Sequence, residues 1–225
     1  AFPSPPRGGC RRSRRVGFIY GRPPLRLASL GTSPSQGRKT GGAFIANDAD
    51  CFALAEALEG AGRGHRNVFG IILGSGVGGG LVIDGRIVTG AGGYAGEWGH
   101  GMALQTRAGT PSVDVPHVVC PCGASGCVNT VGGARGMERL FKSLTGKDAP
   151  SVDIVAQWCG GDAEASRVID VYLDLVGTVL ALALNITGAT IVPVGGGLAN
   201  SRELVSALDE RVRSKMLYKS PTPLL

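Results

Sequence analysis

Residues 68–85 read Val-Phe-Gly-Ile-Ile-Leu-Gly-Ser-Gly-Val-Gly-Gly-Gly-Leu-Val-Ile-Asp-Gly. Val68 to Leu73 is an apolar run of strand length, Gly74 to Gly80 a glycine-rich turn, and Leu81 to Ile83 a second strand that ends on the hairpin signal Asp84-Gly85. Bare glycines let backbone amides approach an anion, so the bend between the strands could cradle phosphates. A tight structural turn explains the same glycines. The stretch lacks the Lys-Ser/Thr of a P-loop, and it leads into a strand where a dinucleotide fingerprint would lead into a helix.

Upstream of the hairpin, Phe44 and Ile45 are expected to end a strand, and Asn47-Asp48-Ala49-Asp50 opens a helix that runs through Glu59. Asp at a helix start caps it. At a strand-to-helix junction Asp48 would also point out of the carboxyl edge of a sheet, where α/β folds bind ligands, and spacing alone leaves capping and catalysis equally open. Downstream, helices are expected over Gly136–Leu144, Val152–Trp158 and Asp162–Ile186, the last with Val168, Val171, Tyr172, Leu175 and Val176 at helical spacing. Asp170 and Asp174 interrupt its apolar stretch, which is otherwise too short to span a bilayer, so a core helix is expected and no membrane segment. Thr190 to Val194 then reads as a buried strand entering Gly195-Gly196-Gly197, with Asn200 or Ser201 capping a last helix to about Met216. Strand, glycine turn and helix is a common nucleotide-binding arrangement, although a plain turn serves equally. The class is α/β.

A second organising stretch runs from Gly92 to Val128. Gly-Glu-Trp-Gly-His, residues 96–100, precedes Cys-Pro-Cys-Gly-Ala-Ser-Gly-Cys, residues 120–127, by twenty residues. Cys120, Cys122 and Cys127 with one histidine suit a tetrahedral zinc, and four protein ligands would make it structural, fixing the loop that carries Glu97. His100 is preferred as the fourth ligand for its place in the dense cluster, with His117 the alternative. Three reduced cysteines in a glycine-rich loop is the bland reading. Cys10, Cys51 and Cys159 stand apart and read as incidental.

The 225 residues carry a formal charge of +6, which looks suited to a nucleic-acid partner until it is divided along the chain. Residues 1–42 hold nine Arg/Lys and no acid, which leaves −3 for residues 43–225. The basic surplus is confined to a Pro/Arg-rich leader that buries too little to order itself, and within it only Val16 to Tyr20 resembles a strand. No recognition helix is legible there, so no specific nucleic-acid binding is expected. Secretory and mitochondrial signals are not legible either, and thiols reduced enough to bind metal point to the cytoplasm. A domain over 43–225 behind a leader that is not its natural start is the expected organisation.

Taken together, Asn47 to Ala57, Leu73 to Gly80, Glu97-x-Gly-His100, Cys120-x-Cys-Gly-x-x-Gly-Cys127 and Gly195-Gly-Gly197 occur in the order seen in the ROK family of repressors and sugar kinases. Within it the chain most resembles bacterial N-acetylglucosamine kinases, over residues 43 to about 216. The resemblance implies an actin-like ATPase (ribonuclease H-like) fold, mostly its C-terminal lobe with a zinc-binding loop, and ATP-dependent phosphorylation of an amino sugar or aldohexose at the 6-hydroxyl. It implies Asp48 as general base, and Asn47, Glu97, His100 and Asn129 on the sugar. Gly74, Ser75, Gly76 and Gly78 would lie along the phosphates and Gly195, Gly196 and Gly197 near the adenosine. His100, Cys120, Cys122 and Cys127 would bind zinc. ATP, Mg²⁺ and structural Zn²⁺ are the implied cofactors, and a homodimer the implied assembly.

Two departures stand against that pattern. The family closes its cysteine motif with Cys-x-Glu, whereas Asn129 follows Cys127-Val128 here, giving hydrogen bonds without charge. No Asp-x-Gly-x-Thr phosphate loop precedes Asp48, which implies a missing or mis-framed N-terminal lobe. Two alternatives therefore accompany the kinase: an inactive sugar-binding remnant, and the sugar-sensing module of a transcriptional repressor.

Overall fold

The computed structural model describes residues 46–220 and 224–225. The leader with Val16–Tyr20 and Cys10, the strand end at Phe44-Ile45 and the boundary at residue 43 lie outside the described residues. In chain order the elements are α1 (Asp48–Glu59), β1 (Asn67–Leu73), β2 (Val77–Ile83), β3 (Arg86–Ile87), β4 (Arg107–Ala108), β5 (Val113–Asp114), α2 (Ala134–Thr145), α3 (Ser151–Cys159), α4 (Ala163–Thr187), β6 (Val194–Gly195) and α5 (Arg202–Lys215).

The hairpin forms as its sequence dictates. β1 and β2 pair antiparallel from Asn67 opposite Ile83 to Leu73 opposite Val77, and β3 returns beyond Asp84 and Gly85, both at positive φ. β6 joins the other edge of β1 in parallel, giving the order β3-β2-β1-β6. Side chains of β1 alternate between two covers. Phe69, Ile71 and Leu73 enter the main core with Tyr172, Val176 and Leu180 of α4, whereas Val68 and Val82 meet Ala53 and Ala57 of α1. The sheet is thus buried on both faces, with helix, sheet and helices in layers.

Two sequence expectations need correction here. The bend between the strands is only Gly74-Ser75-Gly76, because Gly78, Gly79 and Gly80 lie inside β2. Their bareness serves close packing instead: a Cβ at Gly80 would lie 2.9 Å from the Ala49 carbonyl oxygen, and one at Gly70 2.8 Å from Ala53 Cα. The expected strand Thr190–Val194 is a regular ladder only at Val194–Gly195. Before it, the Phe69 and Ile71 amides donate to the Ile191 and Pro193 carbonyls, while Pro193 has no N–H to continue an outer ladder.

α4 is long and apolar enough to cross a membrane, so length does not exclude a span as expected. Burial identifies it as a core helix: 61% of its apolar window is inside the fold, and Tyr172 and Leu180 are fully covered. The two acids within its apolar stretch face α5 and a loop. Asp170 pairs with Arg211 at 2.7 Å and Asp174 with Lys215 at 2.7 Å, while their other oxygens accept from the Thr110 and Gly109 amides between β4 and β5.

Candidate functional site

The site is built around the bare strand β2. On one face Gly78 and Gly80 receive the first turn of α1, and on the other Gly79 receives Trp98, whose Cδ1 would stand 2.5 Å from a Cβ at that position. The indole Nε1 donates to the Gly78 carbonyl at 2.9 Å. The carboxylate-bearing end of α1 and the Glu97–His100 loop therefore flank one strand. This requires glycine.

At the start of α1, the N-cap is Asn47, whose side-chain oxygen accepts from the Ala49 amide at 2.8 Å. Asp48 stands at the first helical position, exposed, with one carboxylate oxygen 2.9 Å from the same amide. Capping is thus carried mainly by the neighbour, which leaves Asp48 a carboxylate oxygen for other work. Asp50, two residues along in the same first turn, is 7% exposed, and its Oδ1 has no hydrogen-bond partner among the described residues. Burial, with the nearby negative charge of Glu97, pushes its pKa up to about 6.

His100, Cys120, Cys122 and Cys127 bring their donor atoms within 4.8 Å of one another. Cys120 Sγ lies 3.6 Å from His100 Nδ1, and Cys122 Sγ 3.6 Å from Cys127 Sγ. A tetrahedral zinc with bonds of about 2.0–2.3 Å separates its ligands by roughly 3.5–3.8 Å, so the set fits such an ion. Nδ1 of His100 faces the thiols, while Nε2 lies 3.8 Å from Glu97. That is the arrangement in which a carboxylate orients a ligating imidazole. His117 lies elsewhere, its Nε2 3.4 Å from the Gln105 carbonyl and its ring against Gly126. Burial pushes the Cys120 thiol up, but hydrogen bonds from the Cys122 backbone, Asn129, Cys122 and His100 outweigh it and bring it down to about 7. Burial, with the Cys122 contact, pushes Cys127 up to about 11. Cys51 on α1 and Cys159 at the end of α3 lie away from the cluster and form no disulfide.

Asn129 sits in the short 3-10 turn Val128–Thr130 after the last cysteine. Its Oδ1 accepts from the Val77 amide at 2.8 Å, its Nδ2 donates to Cys120 Sγ at 3.7 Å, and its own amide donates to the Gly99 carbonyl at 2.9 Å. Both ends of the side chain are engaged within the protein.

The two glycine turns touch. Gly196, at φ 93, leaves no room for a side chain: a Cβ there would lie 2.4 Å from the Leu73 carbonyl oxygen and 2.8 Å from the Gly74 nitrogen. Gly195 faces the Phe52 ring of α1, and Gly197 opens a 3-10 turn to Asn200. That turn separates the glycines from α5, which Ser201 caps, so this helix start does not abut them as expected.

A different helix start abuts the other glycine turn. The Ala134 amide, first of α2, donates to the Gly74 carbonyl at 2.8 Å, and Gly133 packs on the backbone of Gly76. Ser75 and Gly76 amides take no partner among the described residues. Sequence reasoning began α2 two residues late and missed this junction, although the pair Gly132-Gly133 ahead of the helix was its signal.

The twisted sheet, its helices on both faces and the paired glycine turns at one end define a lobe of the actin-like ATPase fold. The chain belongs to the ROK family, whose model matches residues 38–225. It is 39% identical over 179 residues, 80% of its own length and 59% of the relative's, to an N-acetyl-D-glucosamine kinase of Pectobacterium carotovorum subsp. carotovorum (strain PC1). Among solved structures it is similar to a ROK hexokinase from Thermus thermophilus, at TM-score 0.68 and 28% identity, covering 80% of this chain and 58% of that one. A ROK family glucokinase from Streptomyces griseus, solved with glucose and AMPPNP, shares the fold at TM-score 0.68 and 23% identity over 80% of this chain and 61% of that one. The chain is of sugar-kinase lineage, and it spans about three fifths of the length of these relatives.

Proposed function

We propose that this chain transfers a phosphoryl group from ATP to the 6-hydroxyl of an amino sugar or aldohexose, with N-acetyl-D-glucosamine the preferred substrate. The observation that carries the reading is the convergence on β2: the Asn47-Asp48 helix start, the Glu97–His100 loop and the glycine turn all pack on one strand. Asp48 takes the hydroxyl proton as the oxygen attacks phosphorus, while Asn47, Glu97 and His100 hold the sugar. The Ser75 and Gly76 amides, with the start of α2 beside them, face the phosphates, and Gly195–Gly197 lie by the adenosine. Mg²⁺ supplies charge neutralisation on the phosphates when bound. The division of labour suits a reaction that depends on in-line placement and electrostatics more than on covalent help.

In the same reading, His100, Cys120, Cys122 and Cys127 hold a structural zinc. The protein works in the reducing cytoplasm on small molecules, as a homodimer and without specific nucleic-acid binding. Turnover of ATP with N-acetylglucosamine, glucose and N-acetylmannosamine tests it, beside Asp48→Asn. Sugar-dependent turnover that falls by about 10²–10⁴-fold in the variant is the expected result. Sugar binding without turnover in the parent chain would favour a binding remnant instead, which the three-fifths span makes the second reading.

A further inference from the structure

We propose that Asn129 is a positioning residue that couples the cysteine loop to the glycine turn, so that metal occupancy sets the order of the turn. The inference deepens the proposed function and rests on its metal set and its phosphate-facing turn.

Three contacts carry it. The Asn129 amide group spans from Cys120 Sγ at 3.7 Å to the Val77 amide at 2.8 Å, and Val77 is the residue at which Gly74-Ser75-Gly76 enters β2. Its backbone amide holds the Gly99 carbonyl, beside His100. One residue therefore touches the segments of two cluster members and the exit of the turn. The fit is close as well: a Cβ at Gly76 would lie 2.7 Å from Asn129 Oδ1, so the side chain can approach only because position 76 is bare.

The chemistry distinguishes the amide from its nearest relative. Asparagine donates to the sulfur and accepts from the Val77 N–H at once. A carboxylate at 129 could accept from Val77 but has no N–H for a thiolate and would repel it. Asn129 thus uses its two ends to join regions that a glutamate in the same place could not join in this way. Hydrogen-bond partners of metal ligands tune affinity, commonly by 10–100-fold.

Hydrogen exchange on the full chain tests the coupling, comparing the zinc-loaded and chelated forms of the parent, Asn129→Ala and Asn129→Asp. Zinc content and a competition titration against a chromogenic chelator are measured on the same samples. In the parent, chelation should speed exchange at Val77 and its turn by roughly tenfold or more. In Asn129→Ala the turn should exchange fast with or without zinc. Asn129→Asp should retain protection of Val77, lose its dependence on zinc, and bind zinc about tenfold more weakly. A turn that ignores zinc in the parent, or one that responds equally in Asn129→Ala, overturns the inference, as does a parent chain that takes up no zinc. No sugar or nucleotide enters these measurements, so a chain that binds zinc but transfers no phosphate leaves the coupling standing and removes only the kinase reading.

Discussion

The sheet with its helices and the segment from Thr89 to Gly133 are held together in different ways. In the first, apolar side chains from β1, α2, α4 and α5 share one core, with Tyr172, Phe69, Leu180 and Leu208 fully covered. In the second, regular structure is limited to short turns and the two-residue strands β4 and β5. Order there comes from a few apolar anchors on the same core, Trp98, Leu104, Ala108, Val115, Val128 and Val131, and from directional contacts: Asp174 and Asp170 on the hairpin amides, Trp98 on Gly78, Asn129 on Val77 and Cys120, and the Tyr172 hydroxyl on the Gly132 carbonyl at 2.8 Å. The difference teaches where each half can fail. Burial is distributed over many residues and degrades gradually, whereas a loop held by few bonds is lost a bond at a time.

The largest effect should come from the core. Leu180→Ala should cost about 2–5 kcal/mol by urea unfolding and weaken both halves together, while zinc content stays that of the parent. A loss confined to residues 89–133 would break the contrast. Cys120→Ser, or chelation of the parent, should do the reverse: exchange and proteolysis rise across residues 95–131, while α4 and β1 keep their protection. Smaller is Asp174→Asn, which weakens pairing with Arg211 and Lys215 and the bond from Gly109, at a cost of about 1–3 kcal/mol. Its carboxyl is held below the ordinary range: burial pushes it up, but Lys215, the Gly109 amide and Arg211 outweigh that. The folded value lies below the unfolded one, so the stabilisation is present above about pH 4 and disappears as pH falls through the depressed value.

The smallest expected change has the opposite sign. Asp50 has a folded pKa of about 6 against an ordinary 3.8, so folding takes up a proton, and its stabilising share is full below about pH 4 and lost as pH rises through 6. Asp50→Asn should therefore stabilise the chain by about 1–2 kcal/mol at pH 8 and by little at pH 4.5, read from urea midpoints across that interval.

Much of the sheet half was legible in the sequence because burial leaves periodic marks. The end of α1 at Glu59 and its opening within Asn47–Asp50 were legible, and so was α4, within a residue or so, by apolar spacing. What escaped was what glycine leaves unmarked. Gly78, Gly79 and Gly80 carry no side chains to register an alternation, so strand and turn looked alike until Trp98 and α1 were seen to occupy the room they leave. The junction of α2 with the Gly74 turn was hidden for the same reason. At the cluster, the spacing of Cys120, Cys122 and Cys127 singled out the residues that meet, with His100 preferred to His117 by position. The inward use of Asn129 was not legible, since its partners lie 9 and 52 residues away.

A run of three glycines has little to say about strand alignment, because sliding it by one residue exchanges one bare position for another. In β2 alignment is decided at the margins, by Val77 and Leu81 on either side and by the indole of Trp98, which holds the Gly78 carbonyl and fills the space over Gly79. Trp98 is thus the register mark of a strand that cannot keep register by itself. Its emission, separable from that of Trp158 by substitution of the latter, would report slippage of the hairpin directly.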